Sequence, residues 1–396
     1  MLVKKNGERK LLKVTSDKHA VSQVVSVLLV VSMVVAMMTV ILFWAMPLIE
    51  EKRSENEMQS VFYSFEIMDN TVEGLLMEGS DAKRVVGVVC PNDRGDLSFV
   101  TSNEKLIVMY TYDVDVGVGD DDAYEFAVDE LEDEGENDGV FEIHFADVAD
   151  AIDLVKIYYL KPDDSYIYSG DPFFIIPDDL ADPPSTNPKE DSTITDLGGG
   201  VFRINTGGGY YKLEGDLLID LFDTGCSNTI PIGRIWVFEL GCVTYKAYYN
   251  FGNQETVFEN GAIMSTGVQD KGIINNPALI ITNDKKSVAL RVIQLQAVGR
   301  NSFSGRTTPK VEFDLKNSFK REKPTSDLLN HGDMDNYHVN NLKFQIFGEN
   351  EQVWLDYFTN MADFDTVVGV SNTVGYNTDG INFILDSSFI EVDVGL

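Results

Sequence analysis

The feature that most constrains this chain is an uncharged, mostly apolar run from Ala20 to Ile49. It follows a short basic leader that holds six lysine and arginine residues against two acidic ones. About 20 apolar residues are enough to cross a bilayer as a helix, and in lipid the backbone must satisfy its own hydrogen bonds. The run is therefore predicted to be helical despite its many β-branched residues. Because basic flanks stay cytoplasmic, we expect an inward-facing N-terminus and an outward-facing C-terminal part.

The junction between the leader and the run allows three interpretations. A secretory signal peptide has an apolar region of roughly 7–15 residues followed by a small-x-small cleavage site. This run is about twice that length, and the Trp44-Ala45-Met46-Pro47 segment behind it is a poor cleavage site. The second interpretation is an uncleaved signal anchor. The third is a prepilin-type leader, which is cut in front of the apolar run.

The residues at the junction favour the third interpretation. The segment 17–29, DKHAVSQVVSVLL, resembles the start of archaeal type IV pilins and archaellin-like surface proteins, which carry a class III leader. The resemblance implies that a prepilin peptidase cleaves between Ala20 and Val21, with Lys18 and His19 directly before Ala20. It also implies a helix that sits in the membrane first and packs among other pilin-like subunits after assembly.

The helix is predicted to continue beyond the apolar run. Charged residues at 50–57 mark the exit into water, and Gly79 is the expected C-cap. A single helix from Ser22 to Glu78 would be on the order of 85 Å long at 1.5 Å per residue. Between the exit and the cap, apolar residues recur at the three- and four-residue spacing of an amphipathic helix: Met58, Phe62, Phe65, Met68, Val72, Leu75 and Leu76.

After Gly79 the sequence is dominated by strand and turn signals, so we predict an α+β fold with a β-rich, antiparallel, sandwich-like ectodomain. Strands are expected at 84–89, 96–100 and 105–112, and they should form a meander against the amphipathic helix. Further strands near 141–145 and 155–160 should complete this meander. A short helix is expected at 351–358. Residues 248–295 resemble the β-rich C-terminal region of archaeal pilin-like surface proteins.

The predicted organisation has six parts. Prolines are dense between the two β-rich parts, which is typical of a linker. The parts are a basic cytoplasmic leader at 1–20, a transmembrane or filament-core helix at 21–49, its amphipathic continuation at 50–79, a first β-rich domain at 81–176 with an acidic loop at 113–138, a linker at 177–197, and a second β-rich domain at 198–396.

Charge limits the partners that such a chain can bind. The formal net charge is −33 at pH 7, and removal of the leader, whose own charge is +4, leaves −37. A protein this acidic stays soluble, and its charge argues against nucleic acid or anionic lipid as a binding partner. We therefore expect no nucleic-acid binding.

The residues form no convincing catalytic constellation. The Gly-x-Ser-x-Gly elbow of serine hydrolases is absent from the sequence. The triplet Asp223-Thr224-Gly225 is similar to that of aspartic proteases, but their chemistry needs two carboxylates, and a second triplet is missing. We therefore predict that the chain is not an enzyme.

Two segments are weak candidates for cation binding. Imidazoles and carboxylates near residue 335 could coordinate zinc or a similar ion, although their spacing matches no standard site. The acidic loop could bind Ca²⁺ weakly, but a solvated loop is the favoured interpretation. No resident cofactor is therefore expected, and the weak candidate ligands are Asp120, Asp121, Asp122, Asp133, His331, Asp333, Asp335 and His338.

The three cysteines allow one disulfide. Outside the cell the surroundings are oxidising, and Cys226 and Cys242 flank a short stretch with turn signals. We expect these two to pair, which leaves Cys90 as the odd thiol.

Together these features predict a pilin-like subunit of an archaeal type IV pilus-type filament. Its size of nearly 400 residues suits a minor subunit, and its β-rich part would be exposed for adhesion or contact. Assembly would depend indirectly on a pilus ATPase and a platform protein. The alternative is a signal-anchored cell-surface binding protein that never polymerises.

Overall fold

The computed structural model shows an N-terminal helix followed by a strand-rich region, which confirms the predicted α+β class. The chain divides into two compact units, Met1–Glu57 and Met58–Leu396. The structure describes residues 18–79, 81–112, 125–130, 140–146, 154–160, 173–175, 193–198, 201–205, 216–223, 230–250, 252–266, 272–275, 279–282, 286–320, 339–361, 364–367, 372–376 and 380–395.

The predicted N-terminal helix is confirmed as α1, Lys18–Glu78, which begins four residues before the expected start and runs through Pro47. It ends at Gly79, whose φ of 92° lies in the left-handed region that glycine adopts without strain. The predicted C-cap is therefore confirmed.

The predicted short helix is also confirmed, as α2, Glu351–Met361. Asn350 precedes it, and the Asn350 carbonyl oxygen accepts hydrogen bonds from the backbone N–H groups of Val353 (2.9 Å) and Trp354 (3.2 Å). The start of α2 is therefore fixed by the residue immediately before it.

Twenty-one strands are described. They are β1 Lys83–Gly87, β2 Gly95–Tyr112, β3 Glu125–Glu130, β4 Val140–Ala146, β5 Leu154–Leu160, β6 Phe173–Ile175, β7 Thr193–Gly198, β8 Val201–Asn205, β9 Asp216–Asp223, β10 Ile230–Tyr249, β11 Gly252–Glu259, β12 Ala262–Thr266, β13 Gly272–Asn275, β14 Leu279–Ile281, β15 Ser287–Ala297, β16 Ser302–Ser304, β17 Lys310–Lys320, β18 Val339–Gly348, β19 Asp365–Thr366, β20 Thr373–Tyr376 and β21 Asn382–Gly395.

These strands form three sheets. The first has the order β1-β17-β21-β15-β14, and its β15–β21 pair is parallel while its other pairs are antiparallel. The second has the order β13-β12-β11-β10-β2-β18-β20-β19, with β9, β5, β6 and β16 joined beside it. The third has the order β3-β4-β8-β7.

The predicted meander is wrong in its pairing. Residues 96–100 and 105–112 belong to one long strand, β2, rather than to two. β1 pairs with β17, and β2 lies between β10 and β18. The predicted strands near 141–145 and 155–160 exist as β4 and β5, but they pair with β3 and β8, and with β6 and β9.

The described strands do not divide into two separate groups of sheets at the predicted linker. β1 and β2, from the first predicted domain, share sheets with β10, β17 and β18 from the second. Residues 193–197 of the linker lie in β7, and the rest of it lies outside the described residues. Long-range pairing, rather than chain order, therefore organises the strand-rich unit.

Two apolar clusters form the core of this unit. The first contains side chains of β2, β10, β18 and α2 together with side chains of β15 and β21, so it joins the first two sheets. The second is centred on α1, whose buried side chains there are Val61, Phe65, Met68, Val72 and Leu75.

The buried face of α1 confirms most of the predicted stripe. Phe65, Met68, Val72 and Leu75 are fully buried, whereas Met58, Phe62 and Leu76 are partly buried at its edge. Polar contacts add to this packing: Ser64 Oγ accepts a hydrogen bond from the backbone N–H of Val89 (3.2 Å), beyond the end of β1. From Met58 onward, α1 is therefore part of the strand-rich core.

Candidate membrane and assembly segment

The exposed apolar part of α1 is the strongest functional feature of the described chain. Nineteen large apolar side chains between Val25 and Ile49 are 46–84 % exposed. Consecutive residues such as Leu28, Leu29 and Val30 are all exposed, so the apolar surface covers every side of the helix. A helix that is apolar all round is stable only inside a membrane or among other apolar elements.

Two of the three hydroxyl groups between Val25 and Ile49 form hydrogen bonds within the helix. Ser32 Oγ donates to the Leu29 carbonyl oxygen, and Thr39 Oγ1 donates to the Val35 carbonyl oxygen, each at 2.8 Å. Such bonds within the helix satisfy polar side chains in a lipid environment. The segment therefore combines an apolar exterior with internal hydrogen bonds at Ser32 and Thr39.

The C-terminal end of the segment has the composition of a membrane interface. Phe43 and Trp44 are 84 % and 73 % exposed, and aromatic residues are enriched where a membrane helix meets water. Two ion pairs follow about two turns later: Lys52 with Glu55 at 2.6 Å and Arg53 with Glu57 at 2.7 Å. Pairs at this spacing favour the helical conformation at the point where the chain becomes charged.

Length and composition agree with this geometry. Within the part of the chain that the structure describes, α1 is the one helix long and apolar enough to span a membrane. The transmembrane prediction is thus supported at the level of helix length and apolar composition.

The predicted cleavage site lies at the start of α1. Lys18, His19, Ala20 and Val21 belong to the helix, while their side-chain surroundings lie outside the described residues. The cut between Ala20 and Val21 stays a prediction.

The weak cation candidates all lie outside the described residues, both those of the acidic loop and those near residue 335. Among the described residues, no group of three or more histidine, cysteine, aspartate or glutamate side chains is arranged to hold a metal ion. Weak calcium binding by the acidic loop stays a prediction. The candidates concerned are Asp120, Asp121, Asp122, Asp133, His331, Asp333, Asp335 and His338.

Two cysteines are described, and both are buried free thiols. Burial raises the pKa of Cys90 to about 12, and burial together with the nearby Glu259 carboxyl raises the pKa of Cys242. Cys226 lies outside the described residues, so its pairing with Cys242 stays a prediction. As they stand, both thiols are poorly suited to nucleophilic chemistry.

Sequence reasoning missed a buried acidic pair, Glu104 and Glu259, which are 1 % and 0 % exposed. Neither residue stands in a motif, and glutamate on a strand ordinarily faces water. Only the pairing of β2 and β11 with β10 on either side brings the two residues into the same part of the sheet. The sequence therefore held no signal for this pair.

Comparisons with protein-family models, curated proteins and solved structures find no match to this chain. No relative therefore supplies a function, ligand or partner for it.

Proposed function

We propose that this chain is a pilin-like structural subunit, of the minor type, in an archaeal type IV pilus-type surface filament. The observation that carries the proposal is the apolar segment of α1, which is exposed on every side and lies directly behind a basic leader. The prepilin-like residues at the junction favour this proposal over a plain membrane anchor.

The exposed segment needs a partner because its exposure to water is unfavourable. Apolar surface costs roughly 25 cal/mol per Å² when it faces water, and 19 large apolar side chains are exposed here. A lipid bilayer removes this cost before assembly, and neighbouring subunits with the same segment remove it afterwards. One helix thus serves first as a membrane span and then as part of a filament core.

The charge distribution supports one orientation. The basic leader remains in the cytoplasm, and the strand-rich unit faces outward. This unit belongs to the part of the chain after the leader, whose formal net charge is −37. In this arrangement the unit is the surface that makes adhesive or other contacts. The partners are the membrane, a prepilin peptidase, other pilin-like subunits and, indirectly, the assembly ATPase and platform protein.

The first test is the N-terminal residue of the protein recovered from membranes. The chain is expressed with and without an archaeal prepilin peptidase, and intact-mass and N-terminal peptide mass spectrometry identify the start. We expect the mature protein to begin at Val21 only when the peptidase is present. Ala20→Trp should abolish cleavage, whereas the matched control Ala36→Trp, inside the apolar segment, should be cleaved normally.

A leader that persists in all samples would contradict the proposal. The chain would then be a signal-anchored surface protein that does not polymerise. If cleavage occurs, the second measurement is the fraction of the protein in filaments sheared from cells. A pilin-like subunit appears in that fraction, and its amount falls when the pilus ATPase is deleted.

A further inference from the structure

Residues 285–311 form a basic stretch within an acidic chain. They include six lysine and arginine residues and no acidic residue, although the whole chain holds 64 aspartate and glutamate residues. The stretch contains β15, the connection at 298–309 and the first residues of β17. The connection lies at the surface, and its Arg300 and Arg306 are exposed. This part of the surface therefore departs from the acidic character of the chain.

Backbone contacts gather further basic residues around the connection. The Gly305 N–H donates to the Gly95 carbonyl oxygen (2.9 Å), which joins the connection to the start of β2. The Val394 N–H donates to the Arg300 carbonyl oxygen (3.2 Å), and β21, to which Val394 belongs, pairs with β17 from Lys310 onward. The exposed basic residues of this region are named the basic rim: Arg94, Arg300, Arg306 and Lys310.

The charged groups of the basic rim have no carboxylate partner. Elsewhere in the strand-rich unit lysines form ion pairs, as Lys316 does with Glu391 at 3.0 Å. Among the residues that the structure describes, no carboxylate lies within ion-pair distance of a charged group of the basic rim. Arg300 Nε donates instead to the Ser302 carbonyl oxygen (3.0 Å), and the Arg300 guanidinium lies over the Phe303 ring at 5.6 Å. The rim therefore presents its positive charges to the surroundings.

The balance of charge at this end of the unit differs from that of the whole chain. Three carboxylates lie near the rim, those of Asp93, Asp96 and Asp393, and Asp393 Oδ1 accepts the backbone N–H of Arg300 (3.2 Å). Together with the four basic groups they leave a charge of +1, compared with −33 for the chain. The acidity that argues against anionic lipid as a partner of the whole chain is thus absent from this surface.

The rim lies beside the first turns of α1 within the strand-rich unit. Ser64 Oγ accepts the backbone N–H of Val89 (3.2 Å). The next residue, Cys90, exchanges two backbone hydrogen bonds with Thr307 of the connection, at 2.9 and 3.1 Å. This short series of contacts links α1 near Ser64 to the connection that carries Arg300 and Arg306.

The direction of α1 shows which end of the unit this is. Arg84, near the start of β1, forms an ion pair with Glu78 at the end of α1, so α1 runs away from the rim. The unit begins at Met58, and only residues 50–57 separate Met58 from Ile49, the last residue of the apolar segment. The rim therefore lies at the end of the unit where the chain arrives from its membrane segment.

The chemistry of the rim suits a lipid head group. The planar guanidinium of arginine binds phosphate with two parallel hydrogen bonds, in addition to its charge. Val89 and Val298, beside the rim, are also exposed. Basic and apolar side chains together are typical of protein surfaces that lie at a membrane interface.

We propose that the basic rim binds the phosphate groups of lipids at the membrane surface. This contact docks the strand-rich unit on the bilayer that the helix of the same chain spans. The inference rests on the membrane-spanning part of the proposed function and does not depend on filament assembly. Because the charges of the rim are exposed, the contact weakens as the salt concentration rises.

The test measures how fast phenylglyoxal modifies each arginine of the full chain. The chain is placed in phosphatidylglycerol nanodiscs, one copy per disc, and in micelles of dodecyl maltoside, which has no phosphate. Peptide mass spectrometry follows the modification. We expect Arg94, Arg300 and Arg306 to react about fivefold or more slowly in the discs, with less protection at high salt. Arg291, on β15 and outside the rim, should react equally in both.

Charge-reversal variants show whether the rim itself makes the contact. Arg306→Glu should remove the protection of Arg94 and Arg300, and Lys310→Glu provides a second variant if the first does not fold. The matched control Arg291→Glu should leave the protection unchanged. Near-UV circular dichroism checks the fold of each variant.

Three results would overturn the proposal. The first is equal reaction rates in discs and micelles, and the second is protection that both rim variants retain. The third is protection that appears only with two copies in a disc, which would assign the rim to a second copy of the chain. A chain that does not enter the discs would contradict the membrane segment itself, and the docking with it.

Discussion

At the scale of single residues, Gly241 shows how closely the two main sheets approach each other. It lies at an irregularity in the pairing of β10 with β2, between Leu240 and Cys242. On either side of it, Leu240 and Cys242 both lie in the first core cluster, and Val243 lies in the second. Because successive side chains of a strand point to opposite faces, β10 has a core cluster on each face at this point.

We expect Gly241→Ala to be strongly destabilising. An added Cβ would collide with the carbonyl oxygen of Leu295 on β15, and a backbone atom cannot rotate away. The cost should be about 1–3 kcal/mol or more in the free energy of unfolding, as for other overpacked positions. Urea denaturation followed by near-UV circular dichroism measures it.

Gly272→Ala is the matched control for this substitution. Gly272 also lies in a strand, β13, but an added Cβ there meets no atom within 4 Å. Its free energy of unfolding should change by less than about 0.5 kcal/mol. Equal losses in the two variants would show that the close approach of β10 and β15 does not matter.

At the scale of elements, the two halves of α1 differ in how much of their surface is buried. Residues 25–49 expose apolar side chains in every direction, whereas from Val61 onward one face is buried completely. The two patterns were visible in the sequence, one as an unbroken apolar run and the other as a three- and four-residue spacing.

The packed face of α1 should carry a large share of the stability of the strand-rich unit. Phe65 is fully buried in the second cluster, so Phe65→Ala should lower the free energy of unfolding by about 3–5 kcal/mol. Ile67, two residues on, is 57 % exposed, and Ile67→Ala should cost less than about 1 kcal/mol. Chemical denaturation of the full chain in detergent compares them, and similar losses would contradict the assigned buried face.

Local patterns and long-range pairing differ in how well a sequence reports them. The helix α1, its cap at Gly79 and the short helix α2 follow from periodicity and end signals within a few residues of each position. The pairing of β1 with β17 joins residues more than 200 positions apart, for example Lys83 and Asp314, and no local signal reports it. For the same reason the segment of α1 was predictable, while the buried carboxyl pair was not.

At the scale of the whole molecule, the chain consists of a unit that needs an apolar environment and a unit with its own core. The boundary lies between Glu57 and Met58, within α1. Every side chain of α1 in the second cluster lies after this boundary. The strand-rich unit therefore includes its part of the helix as a structural element.

A chain that begins at Met58 should fold and remain soluble without detergent. It lacks the 19 exposed apolar side chains of residues 25–49 but retains both core clusters. A chain that begins at Asp81 lacks five fully buried side chains, each worth about 1.5–3 kcal/mol, and their sum is comparable to the whole stability of an ordinary domain. We expect the first chain to elute as a monomer with native near-UV circular dichroism, and the second to aggregate. If both behave alike, α1 is an appendage of the unit rather than part of its core.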